Sequence, residues 1–124
     1  MKKILIGLSL VLLFVIVGCG STQSPSKTVQ SFYSDALHGQ YSDMKKYIAP
    51  DLLSTMKNHG YGMNTYAKQL TDNGKVKNLK VINEKVKGEG ATVKYNLIYK
   101  NGDKKPGEVS LIKDHGKWEI SPTN

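Results

Sequence analysis

The period of the hydrophobic pattern changes once, at Gly74, and this change restricts the fold more than any other feature of the chain. Before Gly74, apolar residues recur at three- and four-residue spacing in segments that begin near Pro25, Ser42, Pro50 and Met63, which predicts short amphipathic helices. After Gly74, apolar and polar residues alternate, which predicts strands buried on one face. The sequence therefore predicts an α+β domain with N-terminal helices packed on an antiparallel sheet of about four strands.

Local signals mark several boundaries of these elements. Ser24 is placed to cap the first helix, and Gly39 is placed to end it. The apolar phase of the first strand shifts at Val81 and Ile82, which predicts a β-bulge there. Residues 101–107 contain an Asn-Gly pair and a proline, and this composition predicts a polar loop between two later strands.

The amino terminus resembles the signal sequence of bacterial lipoproteins. Lys2 and Lys3 precede an apolar run over residues 4–17, which as a helix would span roughly 21 Å at about 1.5 Å per residue. That length is short for a bilayer core of about 30 Å but suits the apolar region of a signal peptide. The run ends in Gly18-Cys19, so we expect cleavage between these residues and a diacylglycerol group on the Cys19 thiol.

This interpretation divides the chain and places it in the cell. We expect residues 1–18 to be the signal peptide, residues 19–26 the lipidated N-terminus with a flexible tether, and residues 27–124 a single α+β domain. The lipid on Cys19 would hold that domain at the extracytoplasmic face of the cell membrane, because two acyl chains anchor a protein stably. The absence of arginine and the abundance of lysine and asparagine suggest an AT-rich genome and a Gram-positive host.

All 18 basic residues are lysines, against 10 acidic residues, and they are spread along the chain. Lysine lacks the bidentate geometry with which arginine reads phosphates and bases, so we do not expect a nucleic-acid partner. The dispersed charge favours a solvated surface that keeps the domain soluble. The alternative is a diffuse attraction to an anionic envelope surface, such as lipid headgroups or wall polymers, which salt would screen.

Apolar positions in the first half of the domain and in the last strand form a recognisable pattern: Phe32-Tyr33, Ala36-Leu37, Gly39, Met44, Tyr47-Ile48, Pro50, Gly116-Lys117-Trp118 and Ile120. Over roughly residues 26–121 the chain resembles a small bacterial lipoprotein family of unknown function, within the nuclear-transport-factor-2-like (cystatin-like) superfamily. The resemblance implies a cone, in which a curved sheet wraps around the long first helix and leaves a pocket at its wide end.

The resemblance also implies candidate pocket residues, because isomerase-like members of the superfamily use a pocket carboxylate and tyrosines for acid–base chemistry. The candidates here are Asp35 and Tyr33 on the first helix, Tyr95 and Tyr99 on a strand, and Trp118 in the last strand. Each has a structural alternative. Asp35 falls on the polar flank of its helix, and the tyrosines and Trp118 are also typical of a half-buried sheet and its core.

No combination of residues predicts a metal, a cofactor or a covalent catalyst. His38, His59 and His115 are far apart in sequence and lack the close ligand pair typical of zinc sites. No serine lies in a G-x-S-x-G turn, and Cys19 is expected to carry lipid. We therefore assign no catalytic residues and no cofactor.

Three classes of function agree with these features. The first, which we favour, is a membrane-tethered, non-catalytic module that binds a protein or a small ligand at the cell envelope. The second is a small isomerase- or hydratase-like enzyme that uses the pocket of the cone. The third is a component of a transfer apparatus, or an exclusion factor carried by a mobile element. The fold alone does not choose among them.

Overall fold

The computed structural model describes residues 23–121 of the chain. The predicted signal peptide, the junction between Gly18 and Cys19, and most of the predicted tether lie outside the described residues. Within residues 23–121, no helix is both long enough and apolar enough to cross a membrane.

The helical half of the described chain contains four α-helices and one 3-10 turn. In chain order these are α1 (Pro25–Leu37), α2 (Tyr41–Met44), the 3-10 turn (Lys45–Tyr47), α3 (Pro50–Asn58) and α4 (Met63–Leu70). Residues 19–26 were predicted to form the lipidated N-terminus and tether, but Pro25 and Ser26 form the first turn of α1.

Four strands follow and pair in sequence order to form one antiparallel sheet. They are β1 (Val76–Lys87), β2 (Gly90–Tyr99), β3 (Lys104–Asp114) and β4 (Lys117–Ile120). The predicted α+β architecture, with N-terminal helices ahead of an antiparallel sheet, is confirmed.

Helix α1 begins and ends where the sequence predicts. The Ser24 side chain accepts a hydrogen bond from the backbone N–H of Lys27 at 3.1 Å, which satisfies one of the N–H groups that a helix start leaves unpaired. The helix ends at Leu37, and Gly39 follows with φ of 75°. A residue without a Cβ adopts that left-handed conformation at little cost, so Gly39 lets the chain reverse after the helix.

The apolar stripe of α1 lies against one face of the sheet and forms the centre of the core. Val29 is fully buried and Phe32 is 1% exposed. They pack with buried residues from the helical segments and from the sheet: Met44, Ile48, Ala67, Ala91, Val93, Leu111, Trp118 and Ile120. We call the face of the sheet that carries Val93 and Leu111 the inner face.

The bulge predicted in the first strand is present. The pairing of β1 with β2 shifts by one residue between Val81 and Asn83, so Ile82 has no partner. Val81 lies opposite Tyr95 on the inner face, whereas Ile82 is 56% exposed. A bulge bends its strand and increases the local twist, which allows the edge of the sheet to follow α1.

The predicted loop over residues 101–107 is shorter in the structure, because β3 already begins at Lys104. Pro106 lies opposite Asn96 within the β2–β3 pairing. A proline cannot donate to a ladder, so it is tolerated only where one side of a strand is free. Strand β4 pairs with residues 111–114 of β3, which leaves the outer edge of β3 open beside Pro106.

One contact that joins α1 to the sheet was not predicted from the sequence. The Glu84 carboxylate, on β1, accepts hydrogen bonds from the Ser26 backbone N–H at 2.8 Å and from the Ser26 hydroxyl at 2.6 Å. A carboxylate at a helix N-terminus is stabilised by the unpaired N–H groups and by the helix dipole. Glu84 therefore fixes the start of α1 to the edge strand.

Replacing Glu84 with alanine should loosen the first turn of α1. We expect Glu84→Ala to lower the free energy of unfolding by about 1 kcal/mol, the usual effect of losing a helix cap, and to speed amide exchange at Ser26. Glu89→Ala is the matched control, because Glu89 lies in the neighbouring exposed turn and its carboxylate makes no such contact. If urea denaturation shows the same loss of unfolding free energy for both variants, Glu84 does not anchor the helix.

Candidate functional site

A cavity of about 210 Å³ lies between α1 and the inner face of the sheet. Its walls are mainly apolar and come from α1, α3, α4 and two strands: Val29, Phe32, Leu52, Leu70, Val109 and Ile120. Its polar side chains are the phenols of Tyr33, Tyr66 and Tyr95, and the strand residues Glu108 and Ser121 lie at its margin. The cavity is therefore an apolar space into which a few hydrogen-bonding groups project.

Tyr33 and Tyr95 form the polar centre of this cavity. Their hydroxyl oxygens are 3.2 Å apart, within hydrogen-bond distance, and their ring centroids are 5.6 Å apart. Tyr33 also makes an edge-to-face contact with Phe32, with centroids 5.8 Å apart, and Phe32 contacts Tyr66 at 6.0 Å. The four rings thus form one connected aromatic cluster, in which each ring limits the movement of the next.

The position of Tyr95 depends on a glycine in the neighbouring strand. Gly107 lies directly opposite Tyr95 in the β2–β3 pairing. A Cβ at Gly107 would lie 2.5 Å from the Tyr95 ring, closer than any real Cβ contact. Gly107 therefore leaves the space that the ring occupies, which is a common reason for a glycine inside a strand.

Burial keeps the phenols of Tyr33 and Tyr66 neutral. Loss of solvent raises the pKa of Tyr33, and the nearby Tyr95 raises it further. Loss of solvent likewise raises the pKa of Tyr66, with a smaller contribution from Tyr95. A neutral phenol donates a hydrogen bond but cannot remove a proton from a substrate. The cavity is thus suited to holding a hydrogen-bond acceptor.

Asp35 lies outside this cavity. It is partly exposed on the flank of α1 that faces α2, and loss of solvent raises the pKa of its carboxyl group. The carboxylate of Asp43 adds to that rise, whereas Lys46 and His38 oppose it. The structure therefore places Asp35 in a surface charge cluster, away from Tyr33 and Tyr95.

The other two candidates also lie apart from the tyrosine pair. Tyr99 lies opposite Val76 near the far end of β2, where loss of solvent raises its pKa and Asp72 adds to the effect. Trp118 is 6% exposed and packs in the core, and Lys113 Nζ lies 5.7 Å from its ring centroid. Among the five candidates, the structure brings together Tyr33 and Tyr95.

Sequence reasoning missed Tyr66 and Gly107. Tyr66 falls on the apolar stripe of α4, where the helical spacing predicts a core residue without indicating a cavity. Gly107 was assigned to a loop, although a glycine between polar residues and an alternating strand is one signal of a close approach.

Two of the three histidines contact the backbone of their own helices. His38 Nδ1 and the Ser34 carbonyl oxygen are 2.7 Å apart, and His59 Nδ1 and the Thr55 carbonyl oxygen are 2.8 Å apart. Each ring thus caps a carbonyl at the end of its own helix. Within residues 23–121, no group of three His, Cys, Asp or Glu side chains could hold a metal ion.

The buried phenols should make stability depend on alkaline pH. In the unfolded chain Tyr33 ionises near pH 10, whereas its pKa in the folded chain is higher. Above pH 10 the folded state retains a proton that the unfolded state has lost, so stability falls as pH rises, by up to about 1.4 kcal/mol per pH unit for one group. We expect the free energy of unfolding of Tyr33→Phe, measured by urea denaturation, to fall less steeply than that of the wild type between pH 10 and pH 11.5. Tyr61→Phe, at a site 46% exposed, should keep the wild-type slope, and identical slopes for all three proteins would contradict the assignment.

Two solved structures have a similar arrangement of helices and sheet. A Campylobacter jejuni protein provisionally described as an NTF2-like transpeptidase is 14% identical, with a TM-score of 0.64 over 82% of this chain and 100% of that chain. A SEC-C motif-containing protein from Rhodopseudomonas palustris is 16% identical, with a TM-score of 0.59 over 80% of this chain and 76% of that chain. At these identities the similarity shows the fold alone.

The similarity to an NTF2-like structure confirms the predicted fold, with helices packed on a curved antiparallel sheet. No protein of curated function is significantly similar to the chain. The profile of one family, described as a domain of unknown function (DUF4878), matches residues 17–121. The chain therefore belongs to the DUF4878 family, and it has an NTF2-like fold.

Proposed function

We propose that this protein is an envelope lipoprotein, anchored through diacylglycerol on Cys19, whose domain is a non-catalytic module that binds a small ligand or a side chain of a partner protein. The observation that carries the proposal is the cavity between α1 and the sheet, which combines apolar walls with the phenols of Tyr33, Tyr66 and Tyr95. A largely apolar pocket with a few placed polar groups is typical of a ligand site.

The size and chemistry of the cavity favour a small, neutral ligand. Its volume of about 210 Å³ exceeds the roughly 150 Å³ that holds a benzene ring in an engineered protein cavity. The hydroxyls of Tyr33 and Tyr95 now bond each other, and a ligand oxygen that accepts a hydrogen bond from both would leave neither phenol unpaired. A single ring or a short branched chain that carries a carbonyl or ether oxygen would meet both requirements.

An isomerase- or hydratase-like activity in the same cavity is the second candidate, and it would need a base beside the phenols. Among the described lining residues, Glu108 is the one with a carboxylate. It lies opposite Lys94 and next to the inward-facing Val109, so its exposed side chain is on the outer face of the sheet, away from the cavity. The buried phenols of Tyr33 and Tyr66 stay protonated and cannot act as bases, so the side chains in the cavity favour binding over acid–base catalysis. Under this proposal Glu108→Gln retains ligand affinity.

The lipid anchor rests on the sequence. Helix α1 begins at Pro25, six residues after Cys19. Six extended residues span at most about 21 Å, so an anchored Cys19 would hold the domain close to the bilayer surface. A module in that position would meet ligands and partners on the extracytoplasmic side of a Gram-positive membrane.

Removing the Cys19 thiol should abolish lipidation. We expect cells that express the wild-type chain to incorporate a fatty-acid probe into the protein, and Cys19→Ala to incorporate none because no thiol remains to accept diacylglycerol. Ser21→Ala is the matched control and should be labelled like the wild type. Equal labelling of wild type and Cys19→Ala would refute the anchor.

Filling the cavity should abolish ligand binding. Single-ring neutral compounds that carry a carbonyl group can be screened against the full chain by ligand-observed NMR. We expect Val109→Phe, which projects a ring into the cavity, to weaken binding of the compounds found by at least tenfold. Val86→Phe makes the same change on the inner face at a site 50% exposed and away from the cavity, so it should bind normally. If Val109→Phe binds as well as the wild type while remaining folded, the ligand site lies elsewhere.

A further inference from the structure

A second cleft lies at the end of the domain where α1 ends and β1 begins. It has a volume of about 450 Å³ and is bounded by the last residues of α1, by α4 and by the turn that leads into β1. Ala36, Ala67 and Val76, all buried, form its apolar floor. None of the candidate residues taken from the sequence lines this cleft.

Three lysines from different elements converge on the cleft. Lys68 comes from α4, Lys77 from β1, and Lys100 from the residue that follows β2. The three lysines are far apart in sequence, which is why the positive charge was predicted to be dispersed. The fold brings all three to the lining of this cleft. No carboxylate is among the described residues that line the cleft.

None of the three lysines forms an ion pair with a carboxylate in the described part of the chain. Within residues 23–121, the ion pairs are Lys46 with Asp43 and His115 with Asp114, and both lie outside the cleft. Ammonium groups that line one cleft repel each other and create a local positive potential. A bound anion would remove that repulsion.

Two helix ends point toward the cleft, and their carbonyl groups would repel an anion if they were free. Several of these carbonyls already accept hydrogen bonds. The Ser34 carbonyl accepts from the His38 backbone N–H at 3.0 Å and lies 2.7 Å from His38 Nδ1. The Ala67 carbonyl accepts from the Thr71 backbone N–H at 3.0 Å and from the Thr71 hydroxyl at 2.8 Å. Each helix end contributes about half a negative charge, so three ammonium groups leave the cleft net positive.

From these observations we infer that the cleft binds a phosphorylated anion. The ammonium groups of Lys68, Lys77 and Lys100 hold the phosphoryl oxygens, since lysine binds phosphate as a point charge without needing a fixed geometry. The apolar floor contacts the carbon skeleton of the ligand. The volume lies within the range of roughly 300–1,000 Å³ that is usual for small-molecule sites. This site shares no lining residue with the tyrosine cavity, and it can be tested without a ligand there.

Titration of the full chain in detergent, followed by amide chemical shifts, tests the inference directly. The probes are pyrophosphate, glycerol 3-phosphate and a short-chain phosphatidylglycerol kept below its micelle concentration. We expect saturable shifts confined to residues 36–41, 67–77 and 100, which line or flank the cleft. The triple substitution Lys68→Gln, Lys77→Gln, Lys100→Gln should weaken binding at least tenfold. It should leave the rest of the spectrum unchanged, because all three side chains are exposed.

The matched control removes the same charge at the opposite end of the sheet. It carries Lys85→Gln, Lys87→Gln and Lys113→Gln, and we expect its affinity to stay within twofold of the wild type. Binding of glycerol 3-phosphate identifies a free phosphate as the ligand, and preference for the short-chain lipid identifies a headgroup; both support the site. Equal weakening in the two triple variants, or shifts that do not saturate, would overturn it.

Discussion

The contact between α1 and the inner face of the sheet is the interaction on which the other features of the domain depend. Val29 and Phe32 bury the middle of the helix, and Glu84 fixes its first turn to the edge strand through Ser26. These contacts require one register of β1. A shift by one residue would turn Glu84 to the outer face, leaving the helix start without its carboxylate. Core packing and the helix cap therefore specify the same arrangement.

The tyrosine cavity follows from that arrangement. Tyr33 is the residue after Phe32, so burying the apolar stripe also turns the Tyr33 phenol inward, where Tyr95 meets it. A full-size side chain at position 107 would displace the Tyr95 ring. The cavity thus exists because one strand carries a tyrosine where its neighbour carries a glycine. Burial then raises the pKa of Tyr33 and fixes its role as a neutral hydrogen-bonding group.

Features set by neighbouring residues could be predicted from the sequence, and features set by distant ones could not. The Ser24 cap, the end of α1 just before Gly39 and the bulge beside Val81 each depend on a few consecutive residues. The bond between Ser26 and Glu84 joins positions 58 apart. The start of β3 was not predicted, because a proline usually indicates a loop. In the structure β4 pairs only with residues 111–114 of β3, so the strand edge beside Pro106 is free and a proline is tolerated there. The superfamily resemblance proposed Tyr33 and Tyr95 but could not separate them from Asp35, which lies on the other flank of the same helix.

The two proposed sites are distinct, yet the same pair of helices forms a wall of each. On α1, Phe32 lines the cavity and Ala36 lines the basic cleft; on α4, Tyr66 lines the cavity and Ala67 the cleft. A ligand that shifted α1 against α4 would change the shape of both sites, because packed helices move as units rather than residue by residue. The fold therefore provides a physical route by which an anion in the cleft could alter affinity in the cavity. By the reciprocity of linkage, the cavity ligand would alter affinity for the anion by the same factor.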